Sequence, residues 1–164
     1  MLIPEPTSTQ AADVIAIQHL AVGYAEAVSR GDVDEAVQVF APDGVLASPN
    51  TEDAVGPAAI AAVVNSTIAG LDFVFQTVHL GLVTVDGDRA FARFPITEWA
   101  RRSADGRGIQ FLGFYDDDLV RLEGGWRFSR RRLVPRTLGK PEGLTGRVIE
   151  SDGLRTTLGP ASSA

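Results

Sequence analysis

Two histidines, a tyrosine on a helix face and a glutamate near a strand end are the groups whose placement in this chain suits proton transfer. His19 and His79 are the only histidines among 164 residues. An imidazole titrates near neutrality and can take a proton from carbon or oxygen, or give one back. His79 falls in a long apolar strand where Phe73, Phe75, Thr77 and His79 share one face. It is a pocket-facing acid or base, or a buried histidine with one satisfied hydrogen bond. His19, in Ile17-Gln18-His19-Leu20, sits round from the face that carries Ile17, Leu20, Tyr24 and Val28. It is a second catalytic candidate or a helix-edge side chain. Tyr24 is on that apolar face, where its phenol donates to a developing oxyanion or finds a local partner in the core. Glu98 alternates with Phe94 and Ile96 along a strand, as an acid or base at a pocket mouth or as a solvated strand end.

Other chemistries are less well served. The chain has no cysteine, which removes disulfides, thiolate nucleophiles and thiolate metal sites. Two histidines without fixed spacing to carboxylates do not make a zinc site, and no Gly-rich phosphate loop follows a strand. Neither metal nor cofactor is therefore expected. Asp116-Asp117-Asp118 alternates its carboxylates between two faces and reads as strand-end solvation. Arg130-Arg131-Arg132 reads as an exposed edge, with Arg130 and Arg132 sharing a face and able to pair with Asp116 and Asp118 across the sheet. A net charge of −6 argues against nucleic acid or an anionic membrane as partner and points to a small molecule. No apolar run reaches membrane-spanning length and the first ten residues lack a leader pattern, so the expected location is the cytoplasm.

The elements that must position these groups are legible from periodicity. Residues 1–10 read as a tail, 11–136 as one domain and 137–164 as a second tail. From Ala11, Val14, Ile17, Leu20, Ala21, Tyr24 and Val28 recur at helical spacing, and Gly31 ends the helix. Asp32, with Glu35 three places on, caps a second helix expected from Val33 to Phe40, before an Ala-Pro-Asp-Gly break and a strand at Val45. A third helix is expected from Gly56 to Ala69, with Pro57 in its first turn. Two hairpins follow, turning at Asp86-Gly87-Asp88 and at Glu123-Gly124-Gly125. Three helices followed by long strands give an α+β class.

The stretch VGYAEAVSRGDVDEAVQVFAPDGVL from Val22 to Leu46, with the strands that follow, resembles the nuclear transport factor 2-like superfamily. That superfamily includes SnoaL-like polyketide cyclases, ketosteroid isomerases, scytalone dehydratases and a dehydrochlorinase. The resemblance implies an antiparallel sheet curled into a cone around the long first helix. Its pocket would bind a small hydrophobic molecule of polyketide or steroid-like kind. It also implies cofactor-free cyclisation, isomerisation or dehydration, or a non-catalytic binding module on the same fold.

QTVHLGL resembles the strand that carries a catalytic histidine in the dehydratase and the dehydrochlorinase, which gives His79 that role. Where relatives carry an orienting aspartate in an I-x-D-L pattern, this chain has His19. Tyr24 matches the oxyanion-hole tyrosine of the isomerases, whereas Ala47-Ser48-Pro49 stands where their base lies in Glu-Asp-Pro. Glu98 completes the catalytic candidates, and Phe40, Phe75, Phe94 and Trp99 are the expected substrate-binding aromatics. Members commonly pair through the outer sheet face, and strands apolar on both parities fit a homodimer here.

Overall fold

A computed structural model describes residues 5–49 and 51–140. The expected tail segments 1–4 and 141–164 lie outside the described residues. Helix α1 (Ala11–Arg30) buries Ile17, Ala21, Tyr24 and Val28 on one face, the spacing that predicted it. It ends where Gly31 takes a φ of 74°, and the N–H groups of Gly31 and Asp32 close onto the carbonyls of Val28 and Ala27. Asp32 Oδ1 then accepts the Glu35 N–H at 3.0 Å and starts α2 (Val33–Val37).

Phe40 does not belong to that helix. It opens β1 (Phe40–Ala47), because its ring packs between Tyr24 and Phe128 and its backbone registers with Phe128. The Ala-Pro-Asp-Gly break is absorbed inside β1 as a register shift between Phe40 and Val45. The short β2 (Ala54–Val55) and α3 (Pro57–Ile68) follow. The remaining strands are β3 (Leu71–Val78), β4 (Leu82–Asp86), β5 (Arg89–Arg102), β6 (Gly108–Leu122) and β7 (Gly125–Gly139). Strand β7 thus runs three residues past the boundary read at residue 136.

The strand order is β2-β1-β7-β6-β5-β3, with β4 also paired to β5. This corrects the expected antiparallel cone. The sheet is mixed, since β1 runs parallel to β7, and it is open, since the order ends at β2 and β3 without closing. Hairpin signals report antiparallel neighbours only, and nothing local in the sequence encodes a partnership between Phe40 and Phe128. Helix α1 lies across β3, β4 and β7, and α3 packs on β1, β2 and β3. Phe75, Phe91 and Leu112 are exposed on the outer face of the sheet.

The charged triplets are placed differently from the sequence reading. Both lie in mid-strand, β6 against β7, with Asp116 opposite Arg132 and Asp117 opposite Arg131. Asp116 pairs with Arg132 and Arg93 at the surface, while Arg130 reaches Asp53 rather than Asp118. Asp117 and Arg131 are instead fully buried, joined through Nε–Oδ1 at 2.9 Å and Nη2–Oδ2 at 2.7 Å. The alternation that sends the middle residue of each triplet to the opposite face sends it into the core.

Candidate active site

A cavity of about 180 Å³ opens between α1, α3 and the inner face of the sheet. Val28, Val64, Ile68, Ile96, Phe111 and Leu133 supply apolar wall, and Ser48, Thr51 and Thr67 add hydroxyls. Gly113 makes room for the Phe111 ring, since a Cβ there would meet Phe111 Cζ at 2.7 Å and the Val134 carbonyl at 2.5 Å. Four further polar side chains converge on the space: Tyr24, Gln76, Glu98 and Tyr115.

These four form a connected set. Gln76 lies opposite Glu98 in the β3–β5 register, and its Nε2 donates to Glu98 Oε2 at 2.8 Å. The Tyr115 hydroxyl donates to Gln76 Oε1 at 3.3 Å, and the Tyr24 ring meets the Tyr115 ring edge-on with centroids 5.9 Å apart. The Gln76 backbone is pinned by Ser29, whose Oγ accepts its N–H at 2.8 Å and donates to the Ala25 carbonyl at 2.7 Å. The last turn of α1 thereby sets the height of Gln76 in the cavity.

Burial governs the acidity of the set. It raises Glu98 above the ordinary glutamate range, against the lowering effect of the Gln76 bond. Burial raises both phenols as well, and the nearby Arg131 cation opposes this at each ring. A carboxyl group held near an apolar wall with a raised proton affinity is suited to passing a proton to and from a bound molecule.

The profile of the family described as SnoaL-like domain matches residues 9–132. The chain belongs to that family, within the nuclear transport factor 2-like superfamily. An uncharacterised Mycobacterium tuberculosis protein, Rv2910c, is 32% identical over 122 residues, covering 73% of this chain and 82% of that one. Among solved structures, a Novosphingobium aromaticivorans protein provisionally named an aromatic ring hydroxylase matches with a TM-score of 0.73 at 27% identity, covering 79% and 94% of the two chains. The hexachlorocyclohexane dehydrochlorinase LinA-type3 of Novosphingobium barchaimii matches with a TM-score of 0.75 at 15% identity, covering 82% and 93%, a likeness of fold alone.

In this SnoaL-like chain the sequence-selected residues divide into separate places. Tyr24 and Glu98 line the cavity. His19 and His79 do not, and they meet instead in an exposed groove with Ile15, Gln18, Val22 and Leu80. His79 follows the end of β3, and its Nε2 is 3.0 Å from Thr97 Oγ1. Gln18, the residue before His19, ties the β3–β4 link to α1 by donating to the Gly81 carbonyl at 2.9 Å.

None of the four expected substrate-binding aromatics lines the cavity. Phe40 and Phe94 are buried in the core, Phe75 is exposed, and Trp99 lies opposite Phe75 on the outer face. The sequence reading missed Gln76, Tyr115, Asp117 and Arg131. Tyr115 was within reach of it: the second hairpin and the parity of Glu98 place Phe111, Gly113 and Tyr115 on one face. Gln76 had no signal of its own, since it carries no titratable group.

The SnoaL-like domain has no helix among the described residues long and apolar enough to cross a membrane. The described residues also hold no cluster of three or more metal-binding side chains.

Proposed function

We propose that the cavity is the active site of an enzyme that performs cofactor-free acid–base chemistry, an isomerisation, cyclisation or dehydration, on a small uncharged hydrophobic molecule. One observation carries this reading: Glu98 stands in an apolar cavity at the end of a hydrogen-bonded series running through Gln76 to Tyr115, with the Tyr24 ring packed edge-on against Tyr115. Glu98 serves as the proton-transfer group. The phenols serve as donors to an oxygen on the ligand that gains negative charge in the transition state. Family membership supports the same reading at a coarser level, since structural relatives include a dehydrochlorinase acting on hexachlorocyclohexane.

Cavity size narrows the ligand. An apolar cavity of about 150 Å³ holds one benzene ring, so about 180 Å³ suits one or two rings rather than the four of a steroid. Screening one- and two-ring ketones by ligand-observed NMR tests the reading. It predicts binders whose α-protons exchange with deuterated solvent in the native protein and exchange far more slowly in Glu98→Gln. Binding without catalysed exchange or any other conversion favours a binding module, the reading that the exclusion of both histidines from the cavity supports.

We also propose that the protein forms a homodimer through the outer face of the sheet, where Phe75 is 54% exposed beside Trp99 and Leu112. Sedimentation of a monomer at micromolar concentration overturns this.

A further inference from the structure

Arg131 has no exposed surface, and Asp117 is 3% exposed. Burying such a pair costs desolvation that its own attraction barely returns, and apolar replacements of equal volume often serve stability as well. The surroundings of the cation suggest what else it does. The Arg131 Cζ lies 4.1 Å from the centroid of the Tyr115 ring, 4.7 Å from that of Tyr24 and 3.9 Å from that of Phe128. Asp117 holds Nε and Nη2, while Nη1 is buried without a hydrogen-bond partner among the described residues. The guanidinium is thus fixed in place, its charge only partly satisfied by hydrogen bonds, against two tyrosines that line the cavity.

We propose that Arg131 is a positioning residue for the cavity, drawing electron density from the faces of Tyr24 and Tyr115 so that both phenols donate more strongly to a ligand oxygen. The proposal rests on the reading of the cavity as a proton-transfer site. A cation over an aromatic face is stabilised by the ring's electrons and favours the ionised phenol in turn. In an apolar pocket this matters, because burial alone makes a phenol a poorer acid, and Glu98 across the cavity acts in the same direction as burial. Asp117 keeps the guanidinium in register with the rings, and its charge opposes that of Arg131 at Tyr24 but more weakly.

The two tyrosines are the only ones in the chain. Replacing tyrosine biosynthetically with a trifluorinated analogue brings phenol ionisation into a range where the protein stays folded, and absorbance or fluorine NMR then reads these two rings alone. In the apolar double variant Asp117→Leu/Arg131→Met, both ionisations move up by about one unit, a tenfold change. In Asp117→Asn, held folded by a protecting osmolyte, they move down, because the cation is left uncompensated. Ionisations that stay within a few tenths of a unit in either variant, or that move the same way in both, overturn the proposal and leave the pair a structural one. The titration uses no ligand and no turnover. Its failure removes the role of Arg131 and leaves the cavity reading to be judged by the Glu98→Gln exchange experiment.

Discussion

Gln76 and His79 are three residues apart in the sequence, but Gln76 lies inside β3 and His79 just past its end, and the two enter different spaces. Gln76 enters an apolar cavity and links Glu98 to Tyr115, whereas His79 enters an exposed groove beside His19 and touches Thr97. By residue type the groove holds the better proton carriers. By surroundings the cavity does, since it has the enclosure, the apolar wall and the convergent donors that shift acidity and orient a ligand. On the proposed reading, environment outweighs the intrinsic pKa of a side chain in deciding which group is the proton carrier.

The strongest way to break this contrast is a paired substitution. On any molecule turned over in the cavity, Glu98→Gln lowers kcat by about two to four powers of ten, while His79→Gln stays within about a factor of three. The reverse outcome moves the active site to the groove.

The inside–outside contrast extends to the charge pairs of β6 and β7. Asp117→Ala strands a buried guanidinium and lowers unfolding free energy by about 3–5 kcal/mol. Asp116→Ala, one residue away and facing solvent, lowers it by no more than about 1 kcal/mol. Urea denaturation measures both.

A smaller effect sharpens the account of Glu98. Burial makes the folded chain hold this proton more tightly than the unfolded chain does. Between the ordinary glutamate value and the raised folded value, the folded state therefore binds more protons, and stability falls as pH rises through that window. Asp117, also raised by burial, acts in the same sense. Glu98→Gln should flatten this slope in part and leave the variant more stable than the native protein above the window. A steeper slope in the variant contradicts the placement of Glu98. The smallest effect belongs to the outer face: Phe75→Ala should change affinity for a cavity ligand by less than about twofold, as an isothermal titration would show.

Much of this contrast was half-visible in the sequence. Alternation grouped Phe73, Phe75, Thr77 and His79 on one face, but β3 ends at Val78 before His79; no local signal said that the other parity, Val74 and Gln76, faces the cavity. That choice is made by where α1 lands, through Ser29 on the Gln76 backbone. Helix ends and hairpin turns were legible because Gly31, Asp32, Pro57 and Gly87 act on their own neighbours. The extent of β1, the openness of the sheet and the burial of Asp117 with Arg131 depend on partners far along the chain. Runs of like charge look solvated in sequence, and only the pleat turns one member of each inward.

The parallel pairing of β1 with β7 also has a consequence for synthesis on the ribosome. The registers Phe40↔Phe128 and Leu46↔Arg131 join a strand made early to the last strand of the described sheet. The β1–β2 segment has no place to dock until β7 has left the exit tunnel, and until then α1 has an incomplete floor beneath it. During that interval the long edge of β6 is unpaired and open to strands from other chains. Nascent chains halted before β7 are therefore the form of this protein with most to gain from a chaperone.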